Sequence, residues 1–370
     1  MNPDPLRIRL LKTHYPHWGS HTAFNAMLPH FPASLRVAMR EASLPRRPPS
    51  TAERWLRPWL RRQGLAEYSL ADLRAEAALF FSALFSPADI VMFLDAEHSL
   101  LFLPRWLRRA RALRRPPRIV AMFHQPPAVL ERIINIDVAL QADHVVAVSP
   151  VQAEFFSRFI PADRLSTILL GVDTAHFRPG RAAPPPGRLQ CLGGGVWLRD
   201  YEALFRTAEL LAGSPEIEFH VVASSLALPA GAKNVFIHRS ISDAELLELY
   251  QGSHVLFLPL KDATANTFLM EGCACGLPVV SSDLPSLRAY FPGGEAILVK
   301  DNDPRAFAEA LRGLHRDPES RAAMSVLARR RALQLSWERI VPEYARLFQK
   351  LARSAEMGKG IRSDGGMKGD

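Results

Sequence analysis

Residues 262–282 read DATANTFLMEGCACGLPVVSS, and this stretch decides the fold. It combines a polar turn, a short helix with the acid Glu271, a glycine stop at Gly276 and the buried strand Val279-Val280. Thr264 is placed to cap the helix, so the first-turn N–H groups would point outward with partial positive charge. Such a helix start suits a phosphate, and Glu271, two turns along, would reach a nucleotide's sugar. The alternative for Glu271 is a solvated acid.

Strands and helices alternate along the rest of the chain. Apolar runs that predict strands lie at 7–15, 89–95, 118–124, 143–149, 189–195, 217–225, 234–238, 254–260, 277–282 and 296–299. Continuous apolar strands separated by helices such as LADLRAEAALFFSALF are typical of parallel, doubly wound sheets, so we expect an α/β fold. Residues 30–62 are rich in proline and arginine, and we expect a loop with short helices there.

Proline and glycine are dense in FRPGRAAPPPGR (177–188), which therefore predicts a linker between two domains. We expect an N-terminal domain at 1–180, a C-terminal domain at 188–335, a terminal helix at 336–353 and a disordered tail at 354–370. The length of 370 residues is sufficient for two domains with a core each.

Composition excludes several classes of protein. No apolar run reaches the ~18 residues of a membrane span, and MNPDPLRIRLLKTHYP lacks the apolar core of a secretory signal. The cysteines Cys191, Cys273 and Cys275 form neither a disulfide framework nor a spaced zinc set. We therefore expect a cytoplasmic protein.

The net charge of +9 is concentrated in the N-terminal half, above all in LPRWLRRARALRRPPR (103–118). Its seven arginines begin at Arg105 and end at Arg118, and no acid separates them. At helical spacing an apolar face opposes an arginine face, which suits the surface of an anionic membrane. The alternative is a surface helix that packs on its own domain. No nucleic-acid recognition motif accompanies this patch, so we expect no nucleic-acid partner.

Three segments in order carry a resemblance to a known family. They are VVAVSPVQAEFF with STILLGVDTAHFRP (145–179), VFIHRSISDAELLELYQGSHVLFLPL (235–260) and LMEGCACGLPVVSSDLP (269–285). Together they resemble the retaining glycosyltransferases of family four, over about 145–295. The resemblance implies the GT-B architecture, in which two Rossmann-like domains face across a cleft and the terminal helix packs back on the first domain.

The same resemblance implies an activity. A sugar would pass from a nucleotide-diphosphate donor to a hydroxyl acceptor, a saccharide or a lipid-linked one, with retention of configuration. The leaving diphosphate would itself take the acceptor's proton, so no side chain need act as a nucleophile. The nucleotide-sugar is a co-substrate, and we expect neither a metal nor another cofactor.

Site residues follow from matching positions. Arg199 would pair with the donor diphosphate, Glu271 would accept hydrogen bonds from the ribose hydroxyls, and His124 would orient the transferred sugar. Backbone at Gly19 and Ser20 would approach donor and acceptor. Further donor-site candidates are Asp262, Thr264, Asn266 and Phe268. The structural alternatives are an exposed Arg199 beside Asp200, a strand-end His124 without a ligand, and a turn-capping Asp262.

The chain departs from the family at two positions. The first of two acids spaced by seven residues falls on Ala263, where Asp262 or Asn266 could take over its contact with the sugar. An arginine that the family tends to carry falls on Gly194, while Arg199 keeps the cation at the lysine position. These departures keep a second hypothesis open, a non-catalytic GT-B-like binding or scaffold protein in glycan assembly.

Three further patterns point elsewhere and are weaker. GGG at 193–195 lacks the Gly-x-Gly-x-x-Gly spacing of a dinucleotide-binding oxidoreductase. His14, His17 and His21 have metal-ligand spacing only on a continuous helix, which Pro16 and Gly19 oppose. DNDP at 301–304 resembles a metal-binding Asp-x-Asp, but Asp303 before Pro304 is a better helix start.

Overall fold

The structure is a computed structural model that describes residues 4–14, 19–43, 51–110, 116–181 and 186–363. The chain divides into two compact units. Unit 1 holds residues 1–18, 27–168 and 340–370, and unit 2 holds residues 19–26 and 169–339. The division falls after Ile168, before the proline-rich segment expected to link the domains, and the short segment 19–26 groups with unit 2.

Unit 1 is a parallel sheet of six strands in the order β2-β1-β3-β4-β5-β6. Its strands are β1 (Leu6–His14), β2 (Leu35–Ser43), β3 (Ile90–Phe93), β4 (Arg118–Phe123), β5 (His144–Ala147) and β6 (Leu165–Thr167). Its helices are α1 (Thr51–Arg62), α2 (Leu70–Phe85), α3 (Ala96–Ser99), α4 (Leu103–Arg109), α5 (Pro127–Ile133), α6 (Ile136–Leu140) and α7 (Pro150–Ser157). Apolar strands such as β3 and β5 are buried along their whole length, as a sheet covered on both faces requires.

The expectation of a loop with short helices at 30–62 was wrong for β2, which pairs with β1 over nine residues. Its sequence LRVAMREAS mixes apolar and charged residues because an edge strand is only partly covered. The second half of that segment does contain a helix, α1, whereas residues 44–50 lie outside the described part of the chain.

The arginine-rich helix is shorter than its sequence predicts, because α4 ends at Arg109. Leu103 and Leu107 are buried on this helix, and Trp106 stacks on Phe102. The apolar face therefore packs on its own unit, as the structural alternative for this segment anticipated. Residues 111–115, which carry three of the seven arginines, lie outside the described residues.

Unit 2 is a second parallel sheet of six strands, in the order β12-β11-β10-β7-β8-β9. Its strands are β7 (Leu189–Gly194), β8 (Ile217–Val222), β9 (Val235–His238), β10 (Val255–Leu258), β11 (Val279–Ser282) and β12 (Ala296–Val299). Its helices are α8 (Tyr201–Leu210), α9 (Asp243–Gly252), α10 (Thr267–Ala274), α11 (Pro285–Tyr290), α12 (Pro304–Arg316) and α13 (Pro318–Gln334). The strand order reverses between β7 and β10, which makes that point the expected ligand crevice of the sheet.

Helix α14 (Trp337–Ser363) closes the described chain, and its residues from Ile340 onward group with unit 1. Helix α14 continues into the segment for which the sequence predicts a disordered tail, and the disorder of that tail stays a prediction. Residues 364–370 lie outside the described part. None of the described helices is long and apolar enough to cross a membrane.

Two parallel sheets, each covered by helices, confirm the expected α/β class with two Rossmann-like halves. Rings of Phe219, Phe257 and Phe307 meet in the core of unit 2, and Phe123 and Phe156 in that of unit 1. These two cores hold the strand ends in place, and the candidate site residues follow those ends.

Candidate functional site

The candidate site of unit 2 lies where the strand order of its sheet reverses. The end of β7 supplies Gly194 and the following loop with Arg199. The neighbouring strand β10 is followed by residues 259–266 and then by helix α10. Parallel strands end at the same edge of a sheet, so both segments meet there. The residues predicted from the sequence at 194–199 and 262–271 are thus brought together in one unit.

Helix α10 begins two residues later than its sequence suggests. Its N-cap is Asn266, whose Oδ1 accepts a hydrogen bond from Leu269 N at 3.1 Å. The prediction that Thr264 caps the helix was wrong, because an asparagine directly before the first helical residue offers the same oxygen at the required distance. The Thr264 hydroxyl is buried and has no hydrogen-bond partner among the described residues.

The start of α10 keeps unused hydrogen-bond donors. The N–H groups of Thr267 and Phe268 donate to no acceptor in the described part of the chain, because the cap satisfies Leu269 instead. They add to the positive end of the helix dipole. The start of α10 can therefore accept an anionic group, as the sequence predicts for this turn.

Glu271 is buried one turn further along α10, with a residual exposure of 4%. Its Oε2 accepts a hydrogen bond from the Tyr250 hydroxyl at 3.0 Å, and that hydroxyl also lies 3.2 Å from the Phe268 carbonyl. Burial raises the pKa of the carboxyl to about 7, and interactions with Tyr250 and Thr22 oppose this rise. Oε1 makes no hydrogen bond of normal geometry among the described residues. The alternative of a solvated acid is thus wrong.

Gly194 lies directly against the ring of Phe268. A Cβ atom at this glycine would come 2.4 Å from Cε2 of the ring, well inside van der Waals contact. The ring occupies the space that any side chain at 194 would enter. This packing gives a physical reason for the missing arginine at this position, because Phe268 and a long side chain at 194 exclude each other.

Arg199 folds back on its own loop. Its Nε donates to the Gly194 carbonyl at 2.7 Å and its Nη1 to the Trp197 carbonyl at 3.0 Å. Burial lowers the pKa of the guanidinium to about 10, so it stays charged at neutral pH. The neighbouring Asp200 instead caps α8 and accepts a hydrogen bond from Asn302. No carboxylate of the described residues pairs with Arg199, which leaves a partly buried cation suited to an anion.

Asp262 is half-buried and accepts a hydrogen bond from its neighbour's backbone, Ala263 N, at 2.7 Å. Burial raises the pKa of its carboxyl. The contact is the turn-capping role that the sequence offers as an alternative for this acid. Asn266 is likewise engaged as the helix cap, so both candidates for the missing first acid have structural partners here.

Residues 19–26, which follow β1 after a gap in the described chain, belong to unit 2 and contact it closely. At Gly19 a Cβ atom would come 2.2 Å from Oδ2 of Asp243, so a larger residue there would require the exposed Asp243 side chain to move. The Ser20 side chain is exposed in the following turn. His21 Nδ1 lies 2.7 Å from Asp173 Oδ2, and the His21 ring stacks on His176 with centroids 3.7 Å apart. These contacts fix the loop that brings Thr22 to Glu271.

His124 belongs to unit 1 and directly follows β4. Its Nε2 lies 2.5 Å from the Leu94 carbonyl, which makes that nitrogen the donor, and its backbone N–H donates to Glu97 Oε1 at 2.9 Å. Glu97 is buried, and burial raises the pKa of its carboxyl. The position of His124 at a strand end is as predicted, and its role toward a sugar stays a prediction.

The sequence reasoning missed Tyr250 and Thr22, the two partners of Glu271. Tyr250 lies on α9 within the quoted segment 235–260, but its burial is a property of the structure that the sequence did not signal. Thr22 had no signal, since nothing in the sequence links it to a helix about 250 residues away.

The two sequence patterns that resemble metal sites have different outcomes. Asp303 caps α12 by accepting a hydrogen bond from Arg305 N at 3.0 Å, which confirms the helix-start interpretation of DNDP. Within the described ranges, no group of three or more histidine, cysteine or acidic side chains could hold a metal ion. The side chains of His14 and His17 lie outside the description.

Comparison with known proteins shows which proteins the chain is similar to. Residues 210–331 match the family of glycosyl transferases group 1. The D-inositol 3-phosphate glycosyltransferase of Corynebacterium urealyticum is 27% identical over 238 residues, which are 55% of this chain and 55% of that protein. The chain thus aligns with about half the length of this relative.

Two solved structures share the fold over nearly the whole chain. Sucrose-phosphate synthase from Thermosynechococcus elongatus has a TM-score of 0.69 at 16% identity, covering 94% of this chain and 100% of its own. HepE from Anabaena, solved in complex with UDP and glucose, has a TM-score of 0.64 at 13% identity, covering 93% and 99%. The fold is that of GT-B glycosyltransferases, and the family match supports glycosyl transfer.

Proposed function

We propose that this protein is a glycosyltransferase that moves a sugar from a nucleotide-diphosphate donor to a hydroxyl acceptor with retention of configuration. Unit 2 binds the donor at the start of α10. The observation that carries the proposal is Glu271, a buried acid on a helix whose first N–H groups have no protein acceptor among the described residues. A buried carboxylate needs donors, and vicinal ribose hydroxyls supply two.

The phosphates of the donor lie between Arg199 and the start of α10. Gly194 contacts both elements, since its carbonyl accepts from Arg199 and its Cα faces the Phe268 ring. One guanidinium and the N–H groups of Thr267 and Phe268 stabilise the charge that builds on the leaving diphosphate. The second cation that the family tends to carry is absent at position 194. The helix dipole therefore contributes a larger part of the stabilisation of the leaving diphosphate.

Retention is implied by the resemblance to the family, and it requires no carboxylate nucleophile from the protein. The leaving diphosphate removes the proton from the acceptor hydroxyl on the same face of the sugar, while the protein supplies orientation and electrostatics. His124, fixed through Leu94 and Glu97, orients the transferred sugar. Gly19 and Ser20 offer backbone to the reactants. No metal is required by this route.

The nucleotide-sugar donor is supported by the UDP and glucose found in Anabaena HepE. The acceptor is a saccharide or a lipid-linked hydroxyl compound. We place the protein in the cytoplasm, where nucleotide-sugars are made, and at the inner face of the membrane when the acceptor is lipid-linked. The sequence predicts the contact with the membrane for the arginines from Arg105 to Arg118.

The test is a thermal-shift panel with UDP-, GDP-, ADP- and dTDP-sugars. We expect sugars of one base to raise the melting temperature of the wild type, and Glu271→Gln to lose most of that rise. Glu309→Gln, on the exposed face of α12, is the matched control and should respond like the wild type. A panel without any response in the wild type contradicts the proposal.

Donor hydrolysis separates catalysis from binding alone. Slow release of free sugar from the stabilising donor is expected of a transferase that uses water in place of its acceptor. Stabilisation by a nucleotide without any hydrolysis or transfer supports the second hypothesis, a binding or scaffold protein in glycan assembly. That hypothesis draws on Ala263 and Gly194, where the chain departs from the family.

A further inference from the structure

The most unusual surface of unit 1 is formed by large apolar side chains on α1 and α2. On α1, Trp55 is 80% exposed and Trp59 50%, and on α2 Phe81 is 58% and Phe85 86% exposed. Folded proteins bury rings of this size or use them at interfaces. We call the exposed rings Trp55, Trp59, Phe81 and Phe85 the aromatic face.

A row of ring contacts through half-buried rings connects the two helices of the aromatic face. Ring contacts run from Trp59 to Phe102 at 5.8 Å, on to Trp106 at 5.6 Å, to Phe80 at 5.9 Å and to Phe81 at 5.7 Å. Trp55 lies one helical turn before Trp59, and Phe85 one turn after Phe81, so each extends the row on the same side of its helix. A groove of about 410 Å³ opens beside Phe80, Phe81 and Trp106.

Cationic side chains border this face. Arg54 and Arg62 on α1 are exposed, and so are Arg108 and Arg109 on α4, with Arg109 lining the groove. Arg105 and Arg108 both donate to the amide oxygen of Gln141 at 3.2 Å, a neutral partner that holds them without compensating their charge. The two acids of α2, Asp72 and Glu76, are buried instead of exposed.

We propose that the aromatic face is a membrane-docking surface that inserts into the interface of an anionic lipid bilayer. Trp and Phe partition into the region between headgroups and acyl chains, where the indole N–H stays wet while the ring is apolar. The bordering arginines meet lipid phosphates at the same depth. Protein interfaces also use aromatic residues, but a rim with cations and no exposed acid from α2 is complementary to an anionic surface.

The occupant is thus a bilayer, and the contact residues differ from those that the sequence suggests. The arginine-rich helix α4 packs its apolar face inward, so it contributes charge at the rim. The side chains that insert are the exposed rings of α1 and α2. This inference does not rest on the proposed glycosyl transfer, because docking is measurable without a donor.

The experiment is vesicle flotation of the full chain with phosphatidylcholine alone and with an equal mixture of phosphatidylcholine and phosphatidylglycerol. We expect the wild type to float with the anionic vesicles at low salt and less at high salt. Trp55→Ser with Phe85→Ser should lower the partition coefficient by about tenfold or more, because both rings lose their insertion. Both positions are so exposed that folding should be unchanged.

Two more variants make the result specific. Val326→Ser with Leu333→Ser removes exposed apolar side chains from α13 in unit 2 and should float like the wild type. Arg108→Gln with Arg109→Gln should weaken binding to the anionic vesicles while leaving the melting temperature unchanged. Thermal shifts by nucleotide-sugars should be the same in all of these variants, which keeps the proposed function separate.

Three outcomes overturn the inference. They are a wild type that does not bind anionic vesicles, a Trp55→Ser, Phe85→Ser variant that binds them as well as the wild type, and a wild type that self-associates through these rings without floating. The last result assigns the aromatic face to a protein interface, and gel filtration of the same variants detects it.

Discussion

The carbonyl of Gly194 accepts a hydrogen bond from Arg199 while its Cα lies against the ring of Phe268, whose Cε2 would be 2.4 Å from any Cβ at this position. One glycine therefore joins the remaining cation of the site to the first turn of α10. The Phe268 ring fills the space that a side chain at position 194 would need, so this chain has glycine where the family tends to have arginine.

Substitutions at Gly194 and Phe268 should have coupled effects on the stability of the protein. Gly194→Arg should destabilise the protein by about 2 kcal/mol or more, because the new side chain must displace the ring. Phe268→Ala alone should cost about 3 kcal/mol through the cavity it leaves. Together the two changes should cost less than their sum, since the arginine then has space.

Chemical denaturation of the two single variants and the double variant measures the coupling. The matched control is Gly213→Arg, at a glycine where a Cβ meets nothing within 4 Å, and it should change stability little. Strictly additive costs for Gly194 and Phe268 would count against the exclusive packing.

Stability should depend on pH through Glu271. Burial raises the pKa of this acid from its ordinary 4.5 to about 7, so the folded state holds a proton that the unfolded state has lost between these values. The contribution is fully present below about pH 4.5 and is lost as pH rises to about 7. The linked change is about 3 kcal/mol.

The measurement is the unfolding free energy of the wild type and Glu271→Gln between pH 5 and 8. The amide cannot ionise, so the unfolding free energy of the variant should increase relative to that of the wild type as the pH rises. Glu309→Gln, at an exposed acid, should track the wild type throughout. Parallel curves for Glu271→Gln and the wild type would mean that the carboxyl titrates normally.

Donor affinity should depend on the charge of Arg199. Arg199→Gln removes a charge-assisted contact with the diphosphate, and we expect the donor's dissociation constant to rise roughly 10- to 100-fold. Arg199→Lys keeps the charge without the fork of donors and should lose less. Calorimetric titration with the donor that stabilises the wild type tests both.

A substitution at the neighbouring Asp200 distinguishes an effect on donor binding from an effect on stability. Asp200→Ala removes the cap of α8 and should lower stability by about 1 kcal/mol while leaving the donor's dissociation constant close to the wild-type value. An Arg199→Gln variant that binds the donor unchanged would place the diphosphate elsewhere.

The cap of α10 can be tested with two substitutions. Asn266→Ala removes the oxygen that Leu269 N donates to and should cost about 1 kcal/mol. Thr264→Val should be neutral or stabilising, because the hydroxyl it removes is buried without a partner among the described residues. Thermal unfolding of both variants measures these effects. A larger loss of stability for Thr264→Val than for Asn266→Ala would mean that Thr264 caps the helix.

The α/β class, the doubly wound sheets and the candidate helix could be predicted because they depend on local patterns. Continuous apolar runs such as those of β3 and β10, bounded by turn residues, are typical of strands buried on both faces. The edge strand β2 escaped prediction because a strand covered on one side mixes charged and apolar residues. Its pairing with β1 joins residues that are far apart in sequence, so local sequence patterns do not reveal it.

The sequence by itself determined that a polar turn, a short helix with Glu271 and a buried strand follow β10, since capping residues, helix formers and apolar runs act within a few residues. Only the tertiary structure decided which residues surround that acid. Tyr250 and Thr22 come from separate elements, and the Phe268 ring claims the space beside Gly194. Burial and exclusion depend on atoms distant along the chain, and so does the raised pKa of Glu271.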